Sequence, residues 1–193
     1  AAISQIVPVV ITAVATNGTI SINAEVNGTE ETTGTPISKL GVADTVTVYE
    51  PSSVSITSVV MDSAQSVFIQ DQMIQVNITV DNLAGGCDLQ GATITLIANV
   101  TGYSAPLYGP FSLPAYTVQV IQVMLTIEAA ATIGDVLLTA NITGLEEVSG
   151  TPIEEINTRV IDVQQSANVI VSAIAPANVV EGNTFDVNIT LNN

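Results

Sequence analysis

Six Asn-X-Thr triplets, headed by Asn17, Asn27, Asn77, Asn99, Asn141 and Asn188, are the most repeated chemical feature of the chain. An asparagine amide two residues ahead of a hydroxyl is the acceptor for N-linked glycans in exported proteins. The other residues that could do chemistry are few. His is absent, which removes an imidazole base, His-dependent triads and His-ligated metals. Cys87 is alone and could pair only between chains. Lys39 and Arg159 are the two cations. Lys39 offers an amine for a side-chain isopeptide crosslink, but the sequence places no partner for it. The acids gather in pairs: Glu30-Glu31 and Glu146-Glu147 stand beside Gly-Thr-Pro turns and read as solvated loops. Asp81 and Asp88 flank Gly85-Gly86, where oxygens for a hard cation such as Ca²⁺ could meet, yet no calcium-loop spacing is present. No Gly-rich phosphate loop precedes a helix. These residues point away from an enzyme, a cofactor or a metal centre, and toward a covalently modified surface.

The composition narrows the class. Of 193 residues 47% are hydrophobic and 10% charged, with 18 acids against two bases and a formal charge of −16. A nucleic-acid binder needs a basic stripe and a membrane-surface helix needs a basic face; two cations supply neither. The longest apolar run, Ile6 to Ala15, is broken by Pro8 and is too short for a membrane span. The first residue, Ala1, suggests a processed, exported precursor. A surface so poor in charge needs another source of solubility, and glycans would supply it. Below about pH 3 free carboxylates are mostly protonated, so such a chain also suits an acidic habitat.

The elements that must carry these groups are strands. In Val76-Asn-Ile-Thr-Val-Asp-Asn82 apolar and polar residues alternate, as they do in Thr93 to Asn99 and in Asp186 to Leu191. A period of two in Val-, Ile- and Thr-rich runs signals a strand with one buried face. Turn signals such as Asn17-Gly18, Gly109-Pro110 and Glu181-Gly182 punctuate the runs. The expected fold is all-β, built from two immunoglobulin-like antiparallel sandwiches. In the strand sequons the asparagine falls on the outward side, between Val76 and Ile78, Ala140 and Ile142, or Val187 and Ile189; Asn17 and Asn27 fall in expected turns.

An internal repeat sets the domain plan. Residues 55–82 align without gaps on 166–193, Gly28 to Ile37 matches Gly144 to Ile153, and Gln5 to Thr12 resembles Gln119 to Thr126. The period of about 110 residues is that of an immunoglobulin-like domain. Residues 53–165 hold a complete copy, with strands expected near 55–61, 73–81, 92–100, 105–113, 117–127, 135–143 and 155–164. Residues 16–52 and 166–193 hold only the last and first parts of a copy, which together make one discontinuous, incomplete domain. Residues 1–15 form a strand apolar on both sides, with Ile3, Val7, Val9 and Ile11 on one face and Ile6, Val10 and Val14 on the other. Such a strand must be covered on both sides, either inside its own sandwich or inserted into a neighbour's.

The two-sided leading strand, the sandwich repeats and the dense sequons together make the chain resemble the thread filament subunits of thermoacidophilic archaea. The resemblance implies an extracellular, N-glycosylated homopolymer joined head to tail by donor-strand complementation. It also implies that Ile3 to Ala15 is the donor and that the six sequon asparagines bear glycans. The competing expectation is a repeat fragment of a larger surface-layer protein or adhesin.

Overall fold

A computed structural model of the chain describes Val7, Pro8 and residues 17–63, 65–84 and 86–192. The expected donor run therefore lies outside the described residues, Ile3, Ile6, Val9, Val10, Ile11 and Val14 included; only its Val7 and Pro8 are described, and both are exposed. Fifteen strands and no helix make up the described residues. They are β1 (Gly18–Ile22), β2 (Glu25–Thr29), β3 (Pro36–Leu40), β4 (Asp44–Val48), β5 (Ser55–Met61), β6 (Val67–Ile69), β7 (Gln72–Asp81) and β8 (Leu89–Ala98). After them come β9 (Tyr103–Ser104), β10 (Tyr108–Leu113), β11 (Val118–Ile127), β12 (Gly134–Glu146), β13 (Pro152–Gln164), β14 (Ile170–Ile174) and β15 (Asn188–Asn192).

Strands β5 to β13 build an immunoglobulin-like sandwich. One sheet runs β5-β7-β11-β9 and the other β10-β8-β12-β13-β6. Its first strand switches sheets midway: β5 pairs antiparallel with β7, then β6 crosses over to pair in parallel with the last strand, β13. The alternation read in the sequence decides which side each residue takes. Along β7, Ile74, Val76, Ile78 and Val80 point inward, and the last three are wholly buried. Ile121, Val123, Leu125 and Ile127 on β11, and Val136, Leu138, Ala140 and Ile142 on β12, complete the central layer. Each large aliphatic side chain so buried stabilises the fold by about 1.5–3 kcal/mol, which is why two sheets of this length hold without disulfides.

The remaining strands form open hairpins. β1 pairs with β4 and β2 with β3, in line with each other; the Gly41 N–H donates to the Ala24 carbonyl at 2.7 Å across the irregular step between the two ladders. β14 pairs with β15. Nearly every side chain in these six strands is exposed, and in the described residues no ladder joins them to the sandwich.

Candidate modification and assembly surfaces

The sequon asparagines occupy distinct settings. Asn77 lies mid-strand on the outer face of the four-stranded sheet, opposite Gln122 on β11 and Val60 on β5. Its Nδ2 donates to Asp62 at 3.2 Å while its Oδ1 accepts from Gln75. Asn141 holds the corresponding place on the other sheet, between Thr95 and Ile156. There Nδ2 donates to Glu154 at 2.7 Å, and Oδ1 is buried without a partner among the described residues. Asn99, just beyond β8, is exposed, and its Oδ1 accepts from the Leu137 N–H at 2.9 Å. That bond orients the carboxamide and leaves its Nδ2 free of any hydrogen bond among the described residues. Asn188 on β15 and Asn17 ahead of β1 are exposed. Asn27 is exposed too, but it sits inside β2 rather than in the expected turn, because the hairpin continues to Thr29 before it reverses.

One end of the sandwich, called the leading end here because β5 starts there, is closed by a polar cluster. Asn82 is wholly buried; its Oδ1 accepts from Ser53 N–H at 2.9 Å and its Nδ2 donates to the Cys87 carbonyl at 2.7 Å. Glu146 is buried as well, and accepts from Ser52 N–H at 2.7 Å and from the Ser149 hydroxyl. The solvated-loop expectation therefore fails for Glu146. The segment leading into β5 folds over the β12–β13 turn and covers it, and spacing within the turn could not reveal that. Cys87 is buried beside this cluster. Burial first, and then the charges of Glu146, Glu147 and Asp88, push its thiol above the ordinary value. Asp81 and Asp88 each accept a protein donor, the Ser55 hydroxyl and the Ala115 N–H, rather than converging on a shared point. No group of three or more acidic, Cys or His side chains suited to a metal ion occurs among the described residues. Lys39 lies on β3, directly opposite Val26.

A cleft of about 510 Å³ opens between β5, the loop after it and β13, lined among others by Met61, Phe68, Asp135 and Arg159. It contains one cation and two carboxylates, Asp135 and Asp162, without a nucleophile and base in contact. Beside it the outer edge of β13 is free of a strand partner from Pro152 to Ile161 among the described residues, since β6 pairs only from Asp162 onward.

The hairpins repeat the sandwich's own parts. In the β2–β3 turn Glu30 N–H donates to Thr35 O and Gly34 N–H to Glu30 O; in the β12–β13 turn Glu146 N–H donates to Thr151 O and Gly150 N–H to Glu146 O. Gly34 and Gly150 share a left-handed backbone, φ 71° and 69°. Gly28 stands opposite Ile37 as Gly144 stands opposite Ile153. The inward residues of β12, Val136, Leu138 and Ile142, correspond to Ile20, Ile22 and Val26. Yet Val26 is 70% exposed where Ile142 is 0%. At the other end of the chain, Ile74, Val76, Ile78 and Val80 of β7 correspond to Phe185, Val187, Ile189 and Leu191, and Ile189 is 63% exposed where Ile78 is 0%. The equivalents of two buried faces of the sandwich, two half-cores, thus stand open to solvent on separate hairpins.

No family model matches this chain, and no curated protein matches it. Among solved structures it is similar to AvmM, which catalyses macrocyclization in alchivemycin A biosynthesis, at 10% identity and a TM-score of 0.42, over 59% of this chain and 93% of that one. It is also similar to the CARDB domain of PF1109 from Pyrococcus furiosus, in complex with di-metal ions, at 17% identity and 0.39, over 60% and 90%. The third is alpha-2-macroglobulin from E. coli in its native conformation, at 15% and 0.44, over 83% of this chain but 9% of that one. At these scores none of the three bears on chemistry or partners, and what the chain itself establishes is an all-β, immunoglobulin-like architecture.

Proposed function

We propose that the chain is a structural subunit of an extracellular cell-surface filament, polymerising with other copies of itself head to tail by strand donation and N-glycosylated at its sequons. The observation that carries this reading is the pair of exposed half-cores, whose faces match the two faces buried together in the complete sandwich. Apolar sheet faces and unpaired edges of this size are interaction surfaces when a partner exists and aggregation sites when none does. Burying Ile20, Ile22, Val26, Phe185, Ile189 and Leu191 at about 1.5–3 kcal/mol each supplies on the order of 10 kcal/mol before ordering costs. Donation by the Ile3 to Ala15 run is tested by deleting residues 1–15 and imaging by electron microscopy. Fibres from the full chain and none from the deletion support the role; fibres from both refute it. The same repeated hairpin also favours a second reading, a segment of a longer surface-layer protein or adhesin. The intact mass of the native protein separates the two: the peptide mass plus glycans supports a subunit, a much larger mass the longer protein.

A further inference from the structure

We infer that the joint between copies is a hairpin-on-hairpin sandwich: the β14–β15 hairpin of one chain packs its Phe185–Leu191 face on the β1–β4 face of a second copy, as β5–β7 packs on β12–β13. This rests on the filament reading and names the surface that performs it.

The geometry of attachment selects a second copy over the chain's own hairpin. The segment entering the sandwich is tied at the leading end, where Ser52 N–H meets Glu146 and Ser53 N–H meets Asn82. The segment leaving it is tied at the far end, where Gln70 N–H donates to the Gln164 carbonyl and the Ser166 hydroxyl to the Gln70 carbonyl at 2.8 Å. Strand β12 runs thirteen residues from the far end, at Gly134, to the leading end, at Glu146. At about 3.3 Å per residue the two anchor points stand roughly 40 Å apart. Only residues 49 and 50 on one side, since the Pro51 carbonyl accepts from the Gly86 N–H, and 167–169 on the other remain free between anchor and hairpin, and three residues reach about 10 Å. The two half-cores of one chain are therefore held at opposite ends of its sandwich, while the trailing hairpin of one copy meets the leading hairpin of the next. The contact is heterologous and does not close on itself between two copies, so it propagates into a fibre unless it closes into a ring.

The complete copy also supplies a measurable contact. Asn157 on β13 reaches across to β5 and donates to the Ile56 carbonyl at 2.6 Å. Counted back from β4, where Val46 stands opposite Ile20 as Ile161 stands opposite Val136, Val42, fully exposed, takes the position of Asn157, and the repeat places Ala167 at that of Ile56. The test mixes full-length V42C chains with full-length A167C chains under fibre-forming conditions, adds a short bis-maleimide, and follows crosslinking by gel and fibres by electron microscopy. Cys87, being buried, serves as the unreactive background. The expected result is a covalent dimer only in the mixture, and a ladder of multimers from chains carrying both cysteines. Fibres without crosslinks overturn the hairpin joint and leave the filament reading standing. Crosslinking confined within single chains that carry both cysteines overturns the second-copy assignment. Neither fibres nor crosslinks overturns both. Ile189→Asp provides an independent readout: fibres are lost while the melting transition of the complete sandwich stays in place.

Discussion

Asn82 takes part in four hydrogen bonds at zero exposure: two through its side chain, one from its own N–H to Thr117 and one at its carbonyl from Tyr116. Asn82→Ala removes the two side-chain bonds, leaving the Ser53 N–H without its acceptor and the Cys87 carbonyl with the Ser52 hydroxyl alone. A loss of about 2–4 kcal/mol follows, read as a lower denaturant midpoint. At Cys87 the raised thiol value has a definite sign. The neutral thiol is favoured in the folded state, so its contribution is present below the unfolded value near 9.0 and is lost as pH rises past it. Alkylation at pH 8 is accordingly slow in the native protein and fast after denaturation, which mass spectrometry of the labelled chain measures. At Asn99 the amide nitrogen is free of hydrogen bonds among the described residues, and Thr101→Ala removes the sequon without touching the Asn99–Leu137 bond. The variant should lose one glycan in intact-mass analysis and change stability by less than about 0.5 kcal/mol.

At the scale of elements, glycines mark where strands exchange sheets or reverse. Gly102, φ +89°, lies against the loop between β11 and β12, and a Cβ there would sit 2.3 Å from the Ala131 Cα. Backbone cannot yield as a flexible side chain would, so Gly102→Ala costs about 3 kcal/mol or more. Gly34, φ +71°, has open space around its position, and Gly34→Ala costs only the left-handed backbone strain, about 1 kcal/mol. Comparing the two melting curves separates contact from conformation. The long strands β5, β7, β8, β11, β12 and β13 were legible in the sequence because their alternation runs far enough to declare a period. β6 was not, since Val67-Phe-Ile69 is three consecutive apolar residues with no period, and its pairing depends on β13, almost a hundred residues later. β3 was hidden behind the Gly-Thr-Pro turn. Register was the least legible property. The repeat would place Ile170 opposite Ile189, as Val59 lies opposite Ile78, whereas β14 sets Ile170 against Asn192. A strand fixed on one side and below by a second sheet has one register; a hairpin with both faces open is weakly specified. The outward sequons were readable from alternation, but the burial of Glu146 was not, because its cover comes from a segment distant in sequence.

For the whole molecule, charge and shape point the same way. With 18 acids and two bases the chain carries −16 near neutrality, and protonation of its acids takes the charge close to zero. Its core is apolar. Far-UV circular dichroism at pH 2 should therefore show the strand signal retained, and a collapse there would contradict a fold suited to acid.

The parallel pairing of β6 with β13 has a mechanical consequence. Tension arriving through Ser55 and leaving through Gln164 pulls the first and last strands of the sandwich in opposite directions along their shared ladder, so its rungs are sheared together. The β14–β15 hairpin, pulled from one end, peels a rung at a time. A stretched thread of such units would yield at its hairpin joints long before its sandwiches, and would recover its length once slack.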